Sequence, residues 1–344
     1  GGFDGNFSPI IYSKQAQIAL RRSAVTNAIT NNSYFGEIAN QGDTVRIQKE
    51  PDVTVNSLQR HTGISVEKLD DSDFSLTIDQ ANYFAFKMDD IEEQFANVDF
   101  TSLAADRAAY KMSDAMDTDV LSYLSGHTTA GAFITSSAGD KQSPLTGGDI
   151  SGEYIAANHL DATDFGNLTI SGSATAGDSV PLAPRLPGAT ALSSTTVSPL
   201  TVLARMARKM DQANVESRGR WVVLDPVFIE MLKDEDSRLF DSDFGGAGLQ
   251  NGLILNNLHG FKVHVSNNLP SIGTGPSTTG GTNANNFGMI VAGHSSAVAT
   301  ADQINKTETY RDPDSFADIV RGMHLYGRKI LRPEALVNAK YCLL

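Results

Sequence analysis

From Thr44 to Met88 the chain alternates: Val45/Ile47, Ile64/Val66, Leu76/Ile78 and Phe84/Phe86/Met88 put an apolar side chain at every second position. A period of two belongs to strands with two unlike faces. Around Asp89-Asp90-Ile91-Glu92-Glu93 the period changes. Ala105, Ala108, Met112, Met116, Val120 and Leu124 then follow the helical repeat, which predicts a helix over about 101–125, capped by Thr101 and stopped by Gly126. At ~1.5 Å per residue such a helix is nearly ~40 Å long. A long two-sided hairpin cannot bury both faces within its own monomer, so the alternation points to assembly with neighbours before it points to catalysis.

Composition narrows the class. With 344 residues, 40% hydrophobic and 19% charged, the chain is ordered and exceeds the roughly 250–300 residues at which a single core stops growing. A net charge of −13 argues against a dedicated nucleic-acid binder, which presents basic stripes to phosphate. The charge is uneven. Nine acidic residues face only Arg107 and Lys111 between Asp89 and Asp119, while five basic residues face only Asp318 and Glu334 between Asp318 and Lys340. Segments of opposite sign suit contacts between copies. The single cysteine, Cys342, excludes an internal disulfide framework and a cysteine zinc site. No apolar run approaches the ~20 residues of a membrane span, and Gly1-Gly2-Phe3 does not open a signal peptide.

Along the rest of the chain, Ser13 to Ala28 is expected to be a helix carrying Lys14, Arg21 and Arg22, and turns are expected at 59–63 and 70–73. Residues 127–197, rich in Gly, Ser, Thr, Ala and Pro, read as an inserted β-rich segment of poor regularity, with short strands at 168–170 and 180–182. Ser198-Pro199 opens a helix with the stripe Leu200, Leu203, Met206, Ala207, Met210. Strands follow at 221–224, 260–265 and 287–292, and Asp225-Pro226 caps a short helix containing Phe228, Ile229 and Leu232. A long final strand sets Ile319, Met323 and Leu325 against Val320, His324 and Tyr326, and Arg332-Pro333 ends it. Strands alternating with helices define an α+β chain.

Catalytic and metal constellations appear only as lookalikes. Asp241-Ser242-Asp243-Phe244-Gly245 begins like a calcium loop, but Gly252 stands where the bidentate Glu belongs. The seven histidines lack metal spacing, and no phosphate loop or nucleophile elbow is present. The cluster Asp89, Asp90, Glu92, Glu93 reads as the acidic first turn of a helix. No enzyme and no cofactor is expected. A secreted β-rich adhesion module is the main alternative and a hydrolase with a site near Gly245 or Gly293 the next.

Four stretches, in this order, resemble the major capsid protein of tailed bacteriophages, the Hong Kong ninety-seven type (Johnson) fold. They are Gly42 to Ile47, Ile78 to Glu92, Arg218 to Pro226 with Gly260 to Pro270, and Ala317 to Gly327 with Arg332-Pro333. The resemblance implies an N-terminal arm (1–43), an extended β-hairpin loop (44–88), a spine helix of the peripheral domain (89–126), the insertion (127–197), an axial domain (198–305) and C-terminal peripheral-domain strands (306–344). It implies pentamers and hexamers of this chain in an icosahedral virion shell assembled in the bacterial cytoplasm, with portal and decoration proteins as further partners. No counterpart of the family's large N-terminal scaffolding segment stands in the sequence, so it also implies a separate scaffolding protein or removal of that segment by a protease. Contact with packaged double-stranded DNA is expected to be weak and non-specific, at patches such as Arg21-Arg22, and no membrane is involved. Arg46, Lys49, Arg60 and Lys68 are candidates to pair with acidic groups of a neighbour, and Asp89, Asp90, Glu92 and Glu93 are further candidate contacts between subunits.

Overall fold

In a computed structural model of the chain, which describes residues 24–33, 44–48, 53–57, 60, 63, 66–68, 73–89, 100–126, 154–165, 178–183, 196–233, 257–272 and 287–343, the alternating segment is a hairpin base and one very long strand. Strand β1 (Thr44–Gln48) pairs antiparallel with the start of β2 (Asp73–Asp89), Thr44 beside Thr77 and Gln48 beside Asp73. Beyond β1, β2 pairs with β11 (Ala317–Ile330), from Ile78 beside Gly327 to Asp89 beside Ala317. β11 pairs in turn with β10 (Val298–Arg311), completing a four-stranded antiparallel sheet ordered β1-β2-β11-β10. The strand expected at Ile64/Val66 does not form at Val66, which is outside any strand, and Ile64 lies outside the described residues. β1 stops at Gln48, and among the described residues no strand pairs with Val66.

The alternation changes face once. Tyr326 sits beside Gln80 and Gly327 beside Ile78, so Asp79 is an extra residue in β2. Such a bulge re-aims the side chains around it. Below it, Leu76 and Ile78 pack with Ala299, Ala301 and Leu331, flanked by Val45, Ile47 and Leu325. Above it, Phe84, Phe86 and Met88 stand on the other face, opposite Gly322, Val320 and Asp318 of β11, on the face that also holds His324 and Tyr326.

The second sheet contains β3 (His159–Leu160), β5 (Arg220–Leu224), β6 (Asn257–Leu258), β7 (Phe261–Val265), β9 (Phe287–His294) and β12 (Leu336–Leu343), in the order β3-β12-β9-β5-β7-β6. Strand β4 (Val180–Leu182) adds to β12 and β8 (Ser271–Ile272) to β9. Its central strands are apolar on both faces because helices cover both. Val222, Leu224, Ile290, Ala292, Val337 and Tyr341 pack on one side with Val202, Leu203, Met206 and Met210 of α3 (Pro199–Gln212) and with Phe228 and Leu232 of α4 (Pro226–Leu232). Trp221, Val223, Val291 and Leu336 pack on the other with Val120, Leu121, Tyr123 and Leu124 of α2 (Phe100–Ser125) and with Val25 and Ile29 beside and within α1 (Thr26–Ile29). Asp225 caps α4 as expected, accepting from Phe228 N at 2.9 Å. The Trp221 indole fills the space over Gly293, where a Cβ would lie 2.6 Å from its Cζ2.

Several expectations need correction. α2 begins at Phe100, so Thr101 lies inside the first turn and is not its cap. The helix expected over 13–28 is described only at Thr26–Ile29, and residues 13–23 lie outside the described ones. In α3, Val202 is buried while Leu200 is half-buried. β11 is not the last strand: after a short turn at Pro333–Ala335 the chain re-enters as β12 in the centre of the larger sheet, beside β9 and not among the strands at 306–330. The segment 127–197 is not a simple excursion either. Its Val180–Leu182 strand, expected from sequence, and its His159–Leu160 strand both pair parallel with β12, and Leu160, Val180 and Leu182 are core residues.

Candidate functional site

A sheet built to meet a neighbour should leave apolar side chains and strand edges unused by its own chain. The outer half of the four-stranded sheet has one committed face and one open face. On the committed face α2 lies along β2 and β11. Arg328 of β11 is buried there, with Nε 3.0 Å from Asp119 Oδ2, Nη1 3.9 Å from Asp79 Oδ1, and its guanidinium 4.6 Å over the Tyr123 ring. Tyr326 OH donates to Asp119 Oδ2 at 3.1 Å, and burial together with that carboxylate pushes the phenol pKa up. The bulge at Asp79 thus supplies a second carboxylate to the guanidinium that fixes the spine helix. Close to this, Gly322 lets the Phe84 ring lie over β11: a Cβ there would stand 2.2 Å from Phe84 Cε1.

On the open face stand Tyr83 (80% exposed), Met323 (40%) and Tyr310 (42%), with Phe316 (80%) at the turn between β10 and β11. The charges beside them are paired within the chain. Arg321 meets Glu308 at 2.8 Å, Arg311 meets Asp318 at 3.3 Å, and Lys87 meets Asp312 at 2.6 Å. The basic C-terminal segment therefore finds part of its complement at home, Arg328 on Asp119 above all. Asp312 also accepts from Ser315 Oγ at 2.6 Å and Asp314 N at 3.1 Å, and these bonds, led by Lys87, hold its carboxyl down at about 2 from 3.8. A depressed folded pKa contributes stability above the unfolded value and loses it as pH falls from 3.8 towards 2. A carboxyl NMR titration is expected to place the Asp312 midpoint near 2 in the parent chain and to raise it towards 3.8 in Lys87→Met. A parental midpoint already at 3.8 contradicts the pairing.

Beyond the hairpin base, Val53, Val55 and Val66 are 61%, 94% and 93% exposed. Thr54 holds this part of the loop together, donating from N and Oγ1 to the Glu67 carboxylate at 3.2 and 3.1 Å. Three bare valines on one exposed loop form an apolar patch without cover from their own chain.

Of the candidate contact residues, Arg46, Arg60 and Lys68 are described on the hairpin base and its loop. Arg46 is exposed on β1 and lies 3.6 Å from Asp73 of its own chain. Arg60 and Lys68 are exposed on the loop. Asp89 ends β2. Lys49, Asp90, Glu92 and Glu93 lie outside the described residues, as do the Asp241 lookalike and Arg21-Arg22. No three potential metal ligands cluster among the described residues, and none of the described helices is long and apolar enough to cross a membrane.

One functional residue escaped the sequence expectations. Asp117, midway along α2 and buried, accepts at Oδ1 from Val25 N (2.8 Å), Thr26 N (2.9 Å) and Thr26 Oγ1 (2.7 Å), and at Oδ2 from Asn268 Nδ2 (2.8 Å). One carboxylate thereby caps α1 and ties arm, spine helix and larger sheet together. The arm then crosses to the start of β10, where Asn31 N donates to Val298 O at 2.8 Å and Thr30 Oγ1 meets Thr300 Oγ1 at 2.9 Å.

Helix α2 lies along the four-stranded sheet, and the second sheet is clad on both faces. The sequence model of the phage capsid protein family matches residues 153–339, more than half of the chain, and the chain belongs to that family. It is a structural major capsid protein of the Johnson fold, a component of a phage virion and not an enzyme. A solved structure from Mycobacterium phage Che8 is 23% identical over 97% of this chain and 97% of its own, with a TM-score of 0.66. The capsid of cyanophage P-SCSP1u is 16% identical over 97% and 92%, TM-score 0.61, and the mature capsid of bacteriophage PhiM1 is 16% identical over 97% and 91%, TM-score 0.59. No curated protein matches the chain by sequence. The family match begins inside the segment expected to be an insertion, in keeping with the strands at 159 and 180 that enter the larger sheet.

Proposed function

We propose that this chain closes an icosahedral head shell around phage double-stranded DNA as pentamers and hexamers, with the loop at 49–72 lapping over a neighbouring copy. The observation that carries this reading is the exposed valine patch of Val53, Val55 and Val66 on a loop that its own sheet leaves uncovered. In this arrangement the 198–305 domain clusters around the symmetry axes, the spine helix spans the subunit and the arm (1–43) reaches adjoining copies. Arg60, Lys68, Lys49 and Arg46 then meet acidic groups of a neighbour, with Asp89, Asp90, Glu92 and Glu93 as their complement. A separate scaffolding protein, a portal and a decoration protein complete the set of partners, and assembly takes place in the host cytoplasm. DNA contact is weak and non-specific, in keeping with a net charge of −13.

Gln48 and Asp73 are direct neighbours across the hairpin, so a two-residue Asn-Gly turn can replace residues 49–72 without disturbing either strand. This replacement is expected to leave the melting temperature of the unassembled chain within a few degrees of the parent, roughly the effect of ~1 kcal/mol, and to abolish shells in electron micrographs. Normal particles from it contradict the role given to the loop. Arg46→Ala is expected to cost the unassembled chain less than ~1 kcal/mol in a urea titration, since its pair with Asp73 is exposed.

A further inference from the structure

β1 reaches along β2 only as far as Thr77. From Gln80 to Lys87, the described residues offer β2 a strand on one side only, β11. That leaves an open edge of roughly 26 Å at ~3.3 Å per residue. It contains no proline and only one charge, Lys87, at its end. Natural strand edges are ordinarily guarded by prolines, charges or shortness. This one is long and unguarded, which fits an edge that is covered in the assembled state.

The same chain carries a segment suited to cover it. Val53-Thr54-Val55-Asn56-Ser57 begins with three β-branched residues, the type that favours strands, yet it belongs to no strand of its own chain. Thr54 N is turned to Glu67. In extended backbone successive N–H groups point to opposite sides, so those of Val53 and Val55 point away from Glu67.

Segment and edge are not joined within one copy. The chain leaves β1 in the direction away from Gln80, Thr54 is held on Glu67, and none of residues 53–57 belongs to a strand. A second copy can bring such a segment to the edge.

We propose that residues 53–57 of one copy add as a strand to the Gln80–Lys87 edge of β2 in a second copy, making the shell contact a backbone pair and not side-chain packing alone. The proposal rests on the shell-forming reading above and deepens it. Backbone pairing supplies affinity in such strand additions, and alternate side chains supply register.

Hydrogen exchange with residue-level fragmentation, on shells assembled in cells and on the unassembled chain, tests it. Alternate amides between Gln80 and Lys87, and those of Val53 and Val55, are expected to exchange fast in the unassembled chain and about 100-fold more slowly in shells. Shells whose edge amides stay as fast as in the unassembled chain overturn the proposal while leaving the shell reading intact. Two double variants separate backbone from side chain. V53P/V55P removes the N–H donors and is expected to cut shell yield at least ~10-fold, whereas V53T/V55T keeps them and is expected to assemble. Equal assembly of both variants, or equal failure, overturns the backbone pair. A parent chain that forms no shells under any condition overturns the functional reading itself.

Discussion

Replacing Asp117 with alanine is expected to destabilise the unassembled chain by about 3–5 kcal/mol, read as a shift in the urea midpoint. Asp117 is 1% exposed and accepts four hydrogen bonds from two separated parts of the chain, Val25-Thr26 and Asn268. Removing it strands the N–H groups of Val25 and Thr26 at the start of α1 and the Thr26 hydroxyl away from water, and takes one acceptor from the Asn268 amide, which keeps Asp114 Oδ1 at 3.1 Å. Each orphaned group costs about 1–3 kcal/mol, and partial relaxation keeps the sum below the simple total. Asp117→Asn is the informative companion. Its carbonyl oxygen can keep the three donors at the arm, but its NH2 then faces the Asn268 NH2, so a loss of about 1–2 kcal/mol is expected. Residues 24–33 of Asp117→Ala are expected to become protease-sensitive before the larger sheet does. A midpoint for Asp117→Ala within ~0.5 kcal/mol of the parent, the range of an ordinary surface change, contradicts the assigned role.

Gly327→Ala is expected to be at least as damaging, at ~3 kcal/mol or more, and to reduce soluble yield sharply. A Cβ at Gly327 would lie 2.4 Å from the Thr77 carbonyl oxygen and 3.1 Å from Ile78 Cα. Both are backbone atoms of β2 at the bulge, held on one side by β1 and on the other by β11. Nothing there can rotate out of the way, so the pairing of β2 with β11 must open. Gly322→Ala forms the contrast. Its Cβ would meet the far edge of the Phe84 ring at 2.2 Å, and that ring is only half-buried and can turn. A smaller loss, about 1–2 kcal/mol, is expected. Comparing the two variants by thermal unfolding ranks backbone against side-chain crowding, and Gly322→Ala proving the worse of the two contradicts the geometry.

These residues also show which parts of the fold could be read from sequence. The period of two at Leu76/Ile78 and Phe84/Phe86/Met88, and the helical stripe from Ala105 to Leu124, are legible because each element has one buried and one wetter face. Asp225-Pro226 before Phe228 is legible because a cap followed by proline has one structural meaning. β12 was missed for the opposite reason. From Leu336 to Cys342 every residue is buried, so no alternation exists to be read, and the buried polar Asn338 and Lys340 disguise the run. β3 is too short to show a period, whereas the strand expected at 180–182 forms despite Pro181 and pairs with β12.

The assembly surfaces were legible in kind but not in detail. A two-sided strand region announces a missing partner. Charge, in contrast, misled. Asp117 and Asp119 belong to the acidic segment whose sign suits contacts between copies, but one is buried on the arm and the other holds Arg328. Their partners lie 91 to 209 positions away in sequence. No local pattern can reveal a contact at such separation. The bulge at Asp79 is equally hidden, since it depends on how β2 and β11 are paired.

Electron microscopy of the purified chain, expressed alone and together with a candidate scaffolding protein, tests the central claim most directly. Closed shells, or discrete pentamers and hexamers, are the predicted result. A chain that stays monomeric under both conditions contradicts its assignment as a self-assembling shell subunit.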